Sequence, residues 1–142
     1  MGVESALYDH LRTSGPVAEL VGTSIYPVNA PVSVPVPRII YQKISESKAE
    51  HTGGACGLTS CLFQFSCWAD NELQAVAISQ AVRNRIHGFH GAMGAELLYV
   101  HAVLFDGSTD QVEPPDDGSD NYLYARQETY RVISKETIPT LL

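Results

Sequence analysis

The sequence is poor in several things at once. Its three cysteines, Cys56, Cys61 and Cys67, are odd in number and show no Cys-x-x-Cys spacing, which argues against a disulfide framework and against a zinc knuckle. Cys61 and Cys67 lie six apart on one strand face, a span of ~20 Å in extended chain, too far for a bridge. They read as small buried hydrophobes, and Cys56 lies in a glycine-rich stretch. No apolar run approaches the ~20 residues that a membrane-crossing helix needs. The N-terminus lacks a basic region followed by an apolar run, so the chain is expected to be cytoplasmic at synthesis. Basic residues are scarce: nine Lys and Arg against sixteen Asp and Glu give a net charge of −7. A surface that grips nucleic acid through its phosphates carries the opposite sign. Gly-x-Ser-x-Gly, a phosphate-binding glycine loop and zinc-ligand spacing are all missing, and serines and histidines are scattered over unrelated segments. A catalytic reading would have to rest on His87, His90 or Cys56, and a non-enzyme is expected.

What is present is one core of moderate size. The 142 residues are 44% hydrophobic and 18% charged, the balance of one globular domain spanning 1–142, with a tail from about 136 that stays mobile unless it docks. The stretch from Gly57 to Gly91 organises it. Thr59 to Trp68 alternates as a strand, with Cys61, Phe63, Phe65 and Cys67 on one face. After the corner Ala69-Asp70-Asn71, a helix runs over about 72–87. Ala75, Ile78, Val82, Ile86 and Phe89 recur on it at steps of three and four, which at ~100° per residue makes one narrow apolar stripe. Gln80, Arg83, Asn84 and His87 fall on its other side. Asp70 or Asn71 caps the helix start, and Glu72 suits its positive end. Both apolar faces are hidden most simply by laying the helix across the sheet.

The remaining segments add to that pair. Val3 to about Thr13 is a short amphipathic helix built on Val3, Leu7 and Leu11, stopped at Gly15-Pro16, with a second short turn over 17–21. Ser24-Ile25-Tyr26 pairs briefly at a sheet edge, and the segment to Pro37, with Pro27, Pro31, Pro35 and Pro37, reads as an extended arm that includes Val32 and Val34. Arg38 to Ser45 is a strand, and 46–57 reads as a long polar hairpin loop holding Lys48, Glu50 and His51. A lone loop histidine such as His51 is ordinarily solvated. Glu96 to Phe105 is a strand apolar on both faces, expected inside the sheet. Residues 106–121 form a second long loop, rich in aspartate, without the ligand register of a calcium loop. Tyr122 to Ser134 is the last strand, mixed on both faces, as in a strand crossing the sheet margin or covered by another chain. The fold expected is therefore α+β: a mainly antiparallel sheet of about four strands, a central helix and an N-terminal helix packed on one face, and long hairpin loops.

The order of these parts carries a resemblance. The run Leu20-Val21-Gly22-Thr23-Ser24-Ile25-Tyr26-Pro27 is followed by Pro37-Arg38-Ile39-Ile40-Tyr41-Gln42-Lys43-Ile44-Ser45, then Phe65-Ser66-Cys67-Trp68-Ala69, then Gly88-Phe89-His90-Gly91. Over roughly residues 5–135 this resembles the tail-completion proteins of long-tailed bacteriophages, also called tail terminators or head–tail joining proteins. The resemblance implies a small α+β subunit forming a homo-oligomeric ring, a hexamer, that caps the tail tube, stops its growth and docks to the head connector. It implies no active site, no cofactor and no metal. DNA would pass through the ring without specific binding, which an acidic ring favours. Lys48, Glu50 and His51 in the long loop and Val32 and Val34 in the proline arm are the candidate contacts to neighbouring subunits or the tube. The alternative is a cytoplasmic dimeric α+β module that binds a small molecule.

Overall fold

The computed structural model describes residues 3–22, 24–27, 36–51, 54–94, 98–113 and 122–135, with the side chains of 48–51, 54–57 and 113 left aside. Three helices and six strands follow one another: α1 (Val3–Arg12), α2 (Gly15–Val21), β1 (Ile25–Pro27), β2 (Arg38–His51), β3 (Gly54–Ala69), α3 (Glu72–Ile86), β4 (Gly91–Met93), β5 (Leu98–Glu113) and β6 (Leu123–Lys135). The strands make one sheet in the order β1-β2-β3-β6-β5-β4. All neighbours are antiparallel except β1 and β2. The α+β class stands, but six strands replace the four expected, because β1 and β4 are each only three residues long.

The helix-on-sheet pairing is as the periodicity predicts. Asn71 takes extended backbone and its side chain accepts from the Gln74 amide at 2.8 Å, which fixes where α3 begins. Ala75, Ile78, Val82 and Ile86 are buried and share one core with Cys61, Phe63, Phe65 and Cys67. Ser14 caps α2 by accepting from the Val17 amide, and Gly15-Pro16 opens that helix rather than simply closing α1. Leu7, Leu11 and Val17 carry α1 and α2 into the same core. Ile25 pairs with Ile39 at the sheet edge, in the place expected for it.

The loops differ. Residues 46–57 are not a polar loop. β2 continues to His51 and β3 starts at Gly54, so the connection shrinks to 52–53, beside the usual 2–5 residues of a hairpin. The register Lys48↔Thr59, Glu50↔Ala55, His51↔Gly54 shows how. Polar alternation is compatible with a strand when no face has to be buried. In the same way β5 runs on through Asp106 and Asp110 to Glu113, where a loop was expected. Cross-strand pairs hold that extension: Arg126 donates to Asp110 at 2.8 Å, and Gln127 to Gln111 at 2.9 Å. Residues 114–121 of the expected acidic loop, the arm with Val32 and Val34, and the C-terminal tail from 136 lie outside the described residues.

Two strands also change places. β6 lies between β3 and β5, not at the sheet margin. Its mixed helix-facing side carries the ion pairs Arg83–Glu128 and Arg126–Asp110. β5, apolar near its start, pairs with β4 only over 98–100, so its remainder borders the sheet.

Candidate interaction surfaces

Three surfaces follow from this topology. The first is a ribbon. β3 pairs with β6 from Ala69↔Tyr124 up to Leu58↔Lys135, and there the described register ends. Above it, among the described residues, β2 and β3 pair with each other alone, through Glu50↔Ala55 and His51↔Gly54. Glu50 and His51 therefore lie on the distal part of a two-stranded arm beyond the described register of β6, and Lys48 stands at its base, level with Ser134 through Thr59. The structure brings these three together along one strand. It leaves Val32 and Val34 outside the described residues, so they join no site here.

The second surface is the sheet face opposite the helices. Among the described residues no helix covers it. It carries Gln64, Ser66, Gln127, Thr129, Thr109 and Gln111 at the heights given by the strand registers. Gln64 donates to Gln127 at 3.2 Å, Gln127 to Gln111 at 2.9 Å, and Arg131 to Ser60 at 2.9 Å. The amides thus satisfy one another across three strands, on a polar face that also carries the Arg131 cation. Period-two polar residues in three separate strands are the sequence signal for it, and the reading by loops missed it.

The third is the pair of sheet borders. β1 covers β2 only at 39–41, and β4 covers β5 only at 98–100. Among the described residues, the edge of β2 over 42–51 has no further strand beside it, and on β5 the Gly88 amide donates to the Val103 carbonyl at 3.0 Å, so its unpaired stretch is 104–113. Five of the eight large exposed hydrophobic side chains lie on these two strands: Ile44, Tyr99, Leu104, Phe105 and Val112. A free edge is ordinarily blunted with charge, whereas these keep apolar side chains in water. Lys43, at the β2 border, is tied to Glu4 at 3.0 Å and Glu46 at 3.3 Å, and the hydrogen bond to Glu4 is the main reason its ammonium is held above the ordinary lysine value.

The residues considered for chemistry stay apart. Cys61 and Cys67 are free and buried, as small hydrophobes would be. Burial, with the Glu46 charge behind it, pushes the Cys61 thiol up to about 11, and burial pushes Cys67 higher still, so neither supplies a thiolate near neutrality. His87 ends α3, edge-on to Phe105, and His90 is exposed beyond it. Among the described residues no three His, Cys, Asp or Glu side chains gather as metal ligands. No helix of the described residues is long and apolar enough to cross a membrane. A shallow cavity of about 90 Å³ lies between the start of α3 and the ends of β5 and β6, lined by Glu72, Ala75, Val112 and Tyr124 among others.

Comparison with known proteins agrees with the geometry. The family model described as "Tail completion protein gp17" matches residues 5–104. Among curated proteins none matches this sequence. Among solved structures the fold is similar to a chain described as "Virion of native gene transfer agent (GTA) particle", with a TM-score of 0.67 and 20% identity, covering 94% of each chain.

Proposed function

The chain belongs to the tail completion protein family, structural proteins of the phage virion tail, and from that premise we propose that it caps the tail tube, ends its polymerisation and joins the tail to the head connector. In this reading it works as a homo-oligomeric ring, a hexamer, with the tube protein on one side and the connector on the other. It performs no reaction. The observation that carries the proposal is the ribbon of 48–57 on a rigid core: a paired arm reaches past its own sheet at little entropic cost, because the ordering is done during folding. Lys48, Glu50 and His51 are its contact residues. DNA passes through the ring without sticking, since the chain carries a net charge of −7.

The described cavity of about 90 Å³ is well under the ~300–1,000 Å³ of ordinary ligand sites.

Electron micrographs of tails made with and without the protein test the function. Overlong tubes, or tails of normal length unable to join heads, are expected in its absence. Tails of normal length that join heads without it would end the proposal.

A further inference from the structure

We propose that neighbouring copies of this chain join by strand pairing, the free edge of β2 in one copy against the free edge of β5 in the next. The inference rests on the ring reading above and names the surface that makes the ring.

The two edges lie on opposite borders of one sheet. A contact between them is therefore head to tail, and repeats of it close into a ring where the rotation allows. Direction also fits. β2 is antiparallel to β3, β3 to β6 and β6 to β5, so β2 and β5 run oppositely. Rotation about an axis along the strands preserves direction, so the new pair is antiparallel like its neighbours, with a register shift on each edge, at Ile44 and at Asp106.

Height fits as well. The registers link Lys43 through Phe63 and Tyr130 to Phe105, and Ser45 through Leu62 and Arg131 to Leu104. Ile44 lies between Lys43 and Ser45, and so stands level with Leu104 and Phe105 on the far border. These three are among the exposed hydrophobic side chains, at 47%, 50% and 39%. A cyclic ring has no translation along its axis, so equal heights meet, and Ile44 of one copy comes opposite Leu104 and Phe105 of the next. β1 and β4 cover diagonally opposite ends, 39–41 of β2 and 98–100 of β5, and the Gly88 amide takes the Val103 carbonyl at 3.0 Å, so β5 is clear from Leu104 onward. A second copy explains both apolar edges at once. Any partner adding a single strand explains only one.

Cross-linking of the full chain tests this. All variants carry Cys56→Ser, since Cys61 and Cys67 are buried. Ile44→Cys and Leu104→Cys are made singly and together, and oxidised on tails whose terminal rings are visible in micrographs. Mixing the two single variants should give a disulfide-linked dimer. The double variant should give a ladder of linked copies. Each single variant alone should give none. Dimers from one single variant alone would mean a two-fold contact and overturn the inference. So would rings that form while no pair cross-links, and in that case the ring itself survives. Tails with no ring, however prepared, would remove both readings. As a second measure, Ile44→Lys with Leu104→Lys should leave the thermal midpoint of the monomer unchanged and abolish the ring; rings formed by that variant would count against edge pairing.

Discussion

Arg83 on the outer flank of α3 turns back to the sheet and pairs with Glu128 of β6, whose carboxylate is only 2% exposed. Tyr130 donates to the other oxygen of the same carboxylate at 2.9 Å, and burial first, then the Glu128 charge, pushes its hydroxyl far above the ordinary tyrosine value, so it stays a donor. The Arg83 guanidinium also lies 4.4 Å from the Phe105 ring centroid. One arginine thus ties the helix to β6 and β5.

Removing Arg83 leaves the carboxylate buried without its cation. Breaking a buried pair from one side costs about 3–5 kcal/mol. Arg83 is itself 38% exposed, so water reaches the pair, and a loss of about 2 kcal/mol is expected for Arg83→Met. Arg83→Met with Glu128→Gln should recover part of it. Urea unfolding midpoints of the two variants measure both. A single variant as stable as the parent would show that the pair carries nothing.

A second prediction concerns pH. His10 on α1 donates from Nε2 to the Arg85 carbonyl at 3.1 Å, and Arg85 returns a bond from Nε to the His10 carbonyl at 2.9 Å. Burial, then the Arg85 charge, holds the His10 pKa below the ordinary histidine value of about 6.5. The folded state therefore binds fewer protons than the unfolded state just below that value. Stability from this group is fully present above about pH 6.5 and is lost as pH falls toward the folded pKa. The denaturant midpoint should drop between pH 7 and pH 5, and His10→Gln should flatten that part of the profile. A His10→Gln profile that falls as steeply as the parent's would assign the slope elsewhere.

The helix-on-sheet body was legible because burial imposes periodicity: Cys61, Phe63, Phe65 and Cys67 at steps of two, Ala75, Ile78, Val82 and Ile86 at steps of three and four. The spacing puts Arg83 on the side of the helix away from the apolar stripe, since it gives the direction of a Cβ and not the reach of a long side chain. Glu128, read as a sign of a mixed and marginal strand, is one of the most buried groups in the sheet. The strand extensions over 46–51 and 106–113 were read as loops because they lack apolar alternation. They are held by cross-strand polar pairs, and such pairs become visible only once register is known. The free edges were invisible for the same reason: which strand borders the sheet is a fact of order, and composition does not carry it.

Gly94 gives a third test. Its φ is 78°, and a Cβ built there would lie 2.9 Å from the Cα of Ala6 in α1. Left-handed backbone costs a non-glycine residue about 1–2 kcal/mol before any clash. Backbone of a packed helix cannot swing aside as a flexible side chain can. Gly94→Ala should therefore cost more than that conformational figure alone, with α1 losing its seat beside β4. Hydrogen exchange of the α1 amides, read with the unfolding midpoint, reports it. Unchanged protection in α1 would show that the approach relaxes freely.

The ribbon gives the last. Replacing residues 49–58 by Asn-Gly joins Lys48 to Thr59, which are already a cross-strand pair, through a two-residue turn of the type hairpins prefer. Of the described register of β3 with β6 only the pair Leu58↔Lys135 is lost, and Thr59, Cys61 and Phe63, whose side chains are buried, stay in place. The shortened chain should fold with a thermal midpoint near the parent's. It should fail to cap: overlong or headless tails in micrographs, as when the protein is absent. The contrast between this variant and the edge variant Ile44→Lys with Leu104→Lys separates the two jobs. Loss of capping with rings intact assigns the ribbon to the tube or the connector. Loss of the ring assigns it to the neighbouring subunit. Normal capping by the shortened chain would remove Glu50 and His51 from any working surface.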